Sequence, residues 1–214
     1  MQVYLIRHGQ TEWNRLGKAQ GHTDIDLDET GQRQVSELET AFAGRPLGQV
    51  WSSDLVRATS TAAALTRATG AALTTDAALR ERAFGEWEGF AYNDVHTRLR
   101  EASAEVDISE FHARPPGGES VLDVWHRVES IVARLREAEQ PIAIVSHGGV
   151  CAQLLAQLLR GTMESTRSFR FENTAITELV RRPDGFFRLV RFGCTAHLSE
   201  PSAPMIDAHN LQIR

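Results

Sequence analysis

Two apolar runs in this chain end in the same way. Val3-Tyr4-Leu5-Ile6 leads into Arg7-His8-Gly9, and Ile142-Ala143-Ile144-Val145 leads through Ser146 into His147-Gly148-Gly149. The second run is continuously apolar, which implies a strand buried on both faces, as in a parallel sheet covered by helices. Equivalent ends of parallel strands lie on one edge, and that edge is where an open α/β sheet keeps its chemistry. His8 and His147 are therefore expected to meet although they are far apart in sequence. A histidine nitrogen acts as nucleophile or base, Arg7 can grip a phosphate with paired hydrogen bonds, and Gly9 lets backbone approach a ligand closely. One Arg-His pair alone reads equally as a surface ion-pairing site; a second histidine at a matching strand end favours a shared site.

Strand-like and helix-like segments alternate along the rest of the chain. Val35, Leu38, Ala41 and Phe42 recur at helical spacing before Gly44 and Pro46, and a short strand follows at 49–52. Asp54 is a candidate cap for a helix with the stripe Leu55, Ala58, Ala62 and Leu65, which Gly70 stops ahead of a weaker strand at 72–74. The clearest helix spans 120–138, with Val121, Val124, Trp125, Val128, Ile131, Val132 and Leu135 on one face and Ser120 as N-cap. Val150, Leu154, Leu155, Leu158 and Leu159 mark a helix after Gly149. Segments 175–181 and 187–192 flank Pro183-Asp184-Gly185 as a hairpin. Residues 91–118 are polar and weakly periodic, so they read as an irregular cap inserted above the sheet of one domain over 1–198, with a loosely held tail at 199–214.

Composition narrows the partners. The net charge is −5, and Lys18 is the one lysine among 214 residues, which argues against a nucleic-acid or anionic-membrane partner. The start of the chain lacks the pattern of a signal peptide, and no apolar run reaches membrane-spanning length. Cys151 and Cys194 stand in no disulfide framework or C-x-x-C pair and read as free thiols. A cytoplasmic location is expected.

Further polar residues converge on the same edge. Ser52-Ser53-Asp54 closes a strand and opens a helix, so Arg57 falls in a first turn, where anions are favoured. In isolation it would read as an exposed arginine pairing with Asp54. An acid is expected from Leu79-Arg80-Glu81-Arg82-Ala83-Phe84-Gly85-Glu86-Trp87-Glu88-Gly89, where Glu81 is nearest the preceding strand and Glu86 and Glu88 are rivals. Phe84 and Trp87 offer the apolar surroundings that let a carboxyl hold its proton. The eight histidines form no H-E-x-x-H pattern, and no metal site is expected.

Together these residues resemble the histidine phosphatase superfamily, the phosphoglycerate-mutase-like fold, from residue 4 to about 198. The resemblance rests on Leu5-Ile6-Arg7-His8-Gly9-Gln10-Thr11, Asn14, the Gly21, Asp24, Leu27 and Gly31 spacing, Ser52-Ser53-Asp54-Leu55 with Arg57-Ala58, Leu79-Arg80-Glu81, Phe84-Gly85 with Trp87-Glu88-Gly89, Pro115-Pro116-Gly117-Gly118-Glu119-Ser120, and Val145-Ser146-His147-Gly148-Gly149. It implies a three-layer αβα sandwich, with a mostly parallel sheet between helices and a small cap. It also implies a phosphomonoesterase for small anionic metabolites, working without metal or other cofactor. His8 would be the nucleophile, Arg7, Arg57 and His147 would hold the phosphoryl oxygens, and Glu81 would be the general acid and base. Asn14, Gln20, Gly21 and Gly148 would complete the phosphate rim. The signatures resemble the phosphatase branch. A bisphosphoglycerate-dependent mutase is the alternative within the family, and a non-catalytic phospho-ligand-binding protein the alternative outside enzymology. A homodimer through a sheet edge or the late hairpin is compatible with the sequence.

Overall fold

From the N-terminus the chain runs β1 (Gln2–Arg7), the single-turn α1 (Glu12–Arg15), α2 (Glu29–Phe42), β2 (Gln49–Ser52), α3 (Val56–Thr69) and β3 (Ala72–Thr75). It continues through α4 (Tyr92–Glu105), α5 (Val121–Glu137), β4 (Ile142–Ser146), α6 (Gly148–Leu158), β5 (Ile176–Arg181) and β6 (Phe187–Cys194). The computed structural model describes residues 1–200, so the tail expected over 199–214 lies almost wholly outside the described residues.

Side chains alternate across a strand, and β1 and β4 exploit both faces. Val3, Leu5, Ile142 and Ile144 join one apolar cluster, while Tyr4, Ile6, Ala143 and Val145 join another. Against the first lie α5 and α6, through Val128, Leu135, Leu154 and Leu158. Against the second lie α2 and α3, through Leu38, Phe42, Ala58 and Leu65. Burial on both faces is why these strands read as unbroken apolar runs.

The sheet order is β3-β2-β4-β1-β5-β6. β4 lies parallel between β1 and β2, and β3 lies parallel beside β2. β5 is antiparallel to β1, and β6 returns antiparallel to β5 as the expected hairpin. The carboxyl ends of β1, β2 and β4 therefore open on one edge.

Three local expectations change. Residues 91–118 are not irregular throughout, because α4 occupies 92–105 with Val95 and Leu99 buried against Ala19, Phe84 and Ala113. Two large apolar residues make too thin a stripe to register as periodicity. Asp54 does not cap α3: its carboxylate forms a two-pronged pair with Arg80 at 2.7 and 2.6 Å, while Val56 N–H donates to Asp24 Oδ1 at 2.7 Å. The cap thus comes from the loop between α1 and α2. Gly9 is needed for close approach, but the neighbour is α2: a Cβ there would stand 2.9 Å from Gly31 O. Ser120 does cap α5, in a reciprocal box with Asp123.

Candidate active site

Arg7 of β1 lies opposite Ser146 of β4, and His8 N–H donates to Ser146 O at 2.9 Å. The next residues along each strand, His8 and His147, are thereby side by side. Their rings meet edge to face with centroids 5.0 Å apart, and both are buried. His8 Nδ1 lies 2.7 Å from Gly9 O, and a carbonyl can only accept, so the neutral ring carries its proton on Nδ1 and its lone pair on Nε2. His147 has the opposite tautomer. Its Nδ1 accepts from Arg57 Nε at 3.3 Å, leaving the proton on Nε2, which is buried without a hydrogen-bond partner.

Burial and then the charge of Arg57 push both imidazoles well below the usual histidine value of 6.5, with Arg7 adding to the effect. Both are therefore neutral at neutral pH. Arg57 is fully buried, against the expectation for an isolated helix arginine. It donates from Nη1 to Thr23 O at 2.9 Å and from Nη2 to Gly21 O at 2.8 Å. Burial lowers its pKa to about 10, which leaves it charged. Arg7 is also buried and is anchored through Nη1 to Phe171 O at 2.8 Å. Glu81 offsets part of the burial cost at both arginines.

The rim residues divide between lining and bracing. Asn14 Oδ1 accepts from Thr11 N–H at 3.2 Å and from Asn173 Nδ2 at 3.3 Å, which leaves the amide nitrogen as its donor end. Gln20 is buried, with Nε2 on Thr11 Oγ1 at 2.7 Å and Oε1 unpartnered. Gly21 has φ +55° and gives its carbonyl to Arg57. Gly148 lies beside Arg7, whose Nε would stand 3.7 Å from an added Cβ.

Glu81 is the carboxylate that reaches the histidine strand end. Its Oε2 accepts Gly149 N–H at 3.1 Å, in the first turn of α6, and its Oε1 accepts Arg82 N–H at 2.9 Å. A Cβ on Gly149 would lie 2.7 Å from Glu81 Oε1, so the second glycine of the His-Gly-Gly run makes room for the carboxyl. Glu88 is occupied elsewhere. It accepts from the amides of His22, Thr23 and Phe84 and from the Thr23 hydroxyl, bracing the loop that holds Arg57. Glu86 is exposed.

Asn173 and Thr174 escaped the sequence reading. Asn173 Nδ2 donates to His8 O at 2.8 Å and also holds Asn14, while Thr174 N–H donates to Arg7 O at 3.0 Å. Thr174 has φ +54°, a strained value for a β-branched residue that costs on the order of 1–3 kcal/mol. A polar pair ahead of an apolar strand was the available signal, but it is too common to stand out. Among the described residues no histidine, cysteine and carboxylate side chains gather in a group that could hold a metal ion.

The family model for the histidine phosphatase superfamily (branch 1) matches residues 3–195. A glucosyl-3-phosphoglycerate phosphatase of Mycolicibacterium vanbaalenii is 35% identical over 167 residues, covering 73% of each chain. A probable phosphoglycerate mutase of Yersinia pestis is 29% identical over 209 residues, covering 94% of this chain and 97% of its own. The crystal structure of a putative α-ribazole-5'-P phosphatase from Escherichia coli superimposes with a TM-score of 0.81 at 30% identity, covering 91% of this chain and 96% of that one. With the family model spanning both histidine strands, the cap and the late hairpin, this chain belongs to the histidine phosphatase superfamily.

Proposed function

We propose that this chain is a phosphomonoesterase that hydrolyses small anionic phosphorylated metabolites through a phosphohistidine on His8. The observation that carries the reading is the imidazole pair. One ring presents a lone pair at Nε2 and its neighbour a buried N–H at Nε2, with two buried arginines beside them. His8 Nε2 attacks phosphorus as the bond to the leaving oxygen breaks. Arg7, Arg57 and the His147 Nε2–H bind the phosphoryl oxygens, where charge spreads in the transition state. Asn14 and the backbone around Gln20, Gly21 and Gly148 complete the rim.

Glu81 gives its proton to the departing alkoxide. As a carboxylate it then takes a proton from the water whose oxygen attacks phosphorus and releases His8. Phosphate and an alcohol are the products. The phosphatase names of the mycobacterial and Escherichia coli relatives support a metabolite phosphate as substrate. Free Cys151 and Cys194 fit a reducing, cytoplasmic compartment.

The full-length likeness to a probable phosphoglycerate mutase favours a second reading, transfer of the phosphoryl group back to another hydroxyl. The cap argues for the phosphatase. Arg98 stacks over Trp87 and Phe90, and Arg114 pairs with Asp123 at 2.6 Å, so these arginines already have partners other than a substrate carboxylate. Hydrolysis of p-nitrophenyl phosphate with chelator present, run beside bisphosphoglycerate-dependent isomerisation of phosphoglycerate, separates the readings. Isomerisation outrunning hydrolysis would reverse the preference, and no turnover in either assay would leave a binding protein.

A further inference from the structure

Glu81 stands on an irregular stretch, yet the backbone around it is tied at nearly every residue. Arg127 Nη1 donates to Ala78 O and Arg80 O, both at 2.8 Å, and Nη2 donates to Glu81 O at 3.3 Å. Leu79 O accepts from Ser146 Oγ at 2.7 Å. The remaining donors of Arg127 go to Glu119, Nε to Oε1 at 3.0 Å and Nη2 to Oε2 at 2.9 Å. All the N–H donors of a guanidinium are thereby matched. Glu119 takes the other side of residue 81. Its Oε2 accepts Ala83 N–H at 2.9 Å, its own N–H donates to Ala83 O at 2.9 Å, and its carbonyl accepts from Arg82 Nε at 2.6 Å.

The ion pair thus brackets Glu81, through two upstream carbonyls, the carbonyl of Glu81 itself and one downstream amide. Both partners belong to a rigid element: Arg127 lies on α5, and Glu119 immediately precedes its cap Ser120. Neither makes a hydrogen bond to His8 or Arg57, which are held by the β1 end and by the Thr23 and Gly21 carbonyls. The phosphate pocket is thus anchored by the sheet, while the stretch carrying Glu81 takes most of its ties from Arg127 and Glu119. His22 Nε2 on Glu81 O at 2.9 Å, Ser146 Oγ on Leu79 O and Gly149 N–H on the carboxylate join the two.

We propose that Arg127 and Glu119 are positioning residues for proton transfer, setting the distance of the Glu81 carboxyl from the leaving oxygen without contributing to phosphate binding. This rests on Glu81 being the general acid. A pair serving stability alone would, when weakened, slow every substrate alike through loss of folded enzyme. A positioning pair slows only those substrates whose leaving group needs a proton.

The test compares β-glycerophosphate, an alkyl phosphate, with p-nitrophenyl phosphate in the full-length wild type and in Arg127→Lys, Glu119→Gln, Glu81→Gln and the Arg127→Lys/Glu81→Gln double variant. Lysine is a point donor and cannot copy the fork. Arg127→Lys should lower kcat on the alkyl ester about 10-fold or more, with KM and the aryl rate within about 3-fold of wild type. Glu119→Gln, which keeps the shape of the side chain, should show the same pattern more weakly, and the double variant should lose no more than Glu81→Gln alone. Equal losses on both esters, or an unchanged alkyl rate in both single variants, overturn the proposal. If Arg127→Lys fails to fold, Glu119→Gln decides by the same criterion. Glu81→Gln without leaving-group selectivity overturns the acid assignment and the proposal with it. A selective Glu81→Gln beside an unselective Arg127→Lys overturns the positioning role alone.

Discussion

Arg57 Nε donates to His147 Nδ1 at 3.3 Å, so a guanidinium on α3 dictates which nitrogen of a histidine after β4 carries the proton. The same charge helps keep both imidazoles neutral. A substitution at Arg57 therefore removes a proposed phosphate ligand and unsettles a tautomer at once. Arg57→Lys should lower kcat more than about 100-fold, the scale for losing a strong transition-state donor, because an ammonium cannot span Gly21 O, Thr23 O and the imidazole together. Full activity in the lysine variant would mean that Arg57 only attracts substrate.

His8→Ala should abolish turnover, since it deletes the attacking atom rather than a contact. Rapid alkaline quench of wild type with labelled substrate should trap phosphate on His8 that acid then releases. Burst labelling that persists in the alanine variant would place the nucleophile elsewhere.

The pH dependence follows from two buried neutral imidazoles. His8 is already unprotonated well below pH 6.5, so the acid limb of kcat/KM should fall under that value rather than at it. Stability has a linked slope. The unfolded chain binds protons at these histidines as pH drops through about 6.5, whereas the folded one resists until the depressed values are reached. Their contribution is full above that window and is lost on acidification through it. The urea midpoint should drop between pH 7.5 and 5, and replacing His8 and His147 by Asn should flatten most of the drop. His197, also lowered by burial, should supply the remainder. An undiminished slope in that double variant would assign the effect to other groups.

Gly149→Ala offers a test of the acid that leaves Glu81 in place. The new methyl would stand 2.7 Å from Glu81 Oε1, the movable end of a side chain, so the carboxyl should give way while the fold holds. Alkyl phosphate hydrolysis should fall about 10-fold or more and p-nitrophenyl phosphate hydrolysis far less. Thermal denaturation should stay within a few degrees of wild type. A uniform loss on both esters would point to damage at His147 instead.

The histidine pair was legible in the sequence because strand burial and strand-end glycines are both periodic signals. That Arg57 and Glu81 stand at the same strand edge as the histidines, and that the chain is a histidine phosphatase, were legible through short motifs. What lay hidden were side-chain roles that depend on backbone arriving from elsewhere. Asp54 has the chemistry of a cap and the position for one, but Arg80 outcompetes the helix for its carboxylate. Asn173 reaches the carbonyl of His8 only because Thr174 turns through a strained conformation, and no local pattern announces such a turn. α4 stayed hidden because Val95 and Leu99 are covered by Ala19, Phe84 and Ala113, residues outside its own span.

The sheet order also has a consequence for biosynthesis. β1 emerges first, yet its neighbours in the sheet, β4 and β5, are among the later strands to be made. Until β4 inserts between β1 and β2, His8 has neither Ser146 O for its backbone nor His147 for its ring. A nascent chain shorter than this lacks the imidazole pair, however well its first arginine and histidine are formed. Closing so long a loop is slow compared with forming local contacts. The pocket is thus assembled late, when β4 has joined β1 to β2 and the segment ahead of β5 has brought Phe171 O to Arg7 and Asn173 to His8.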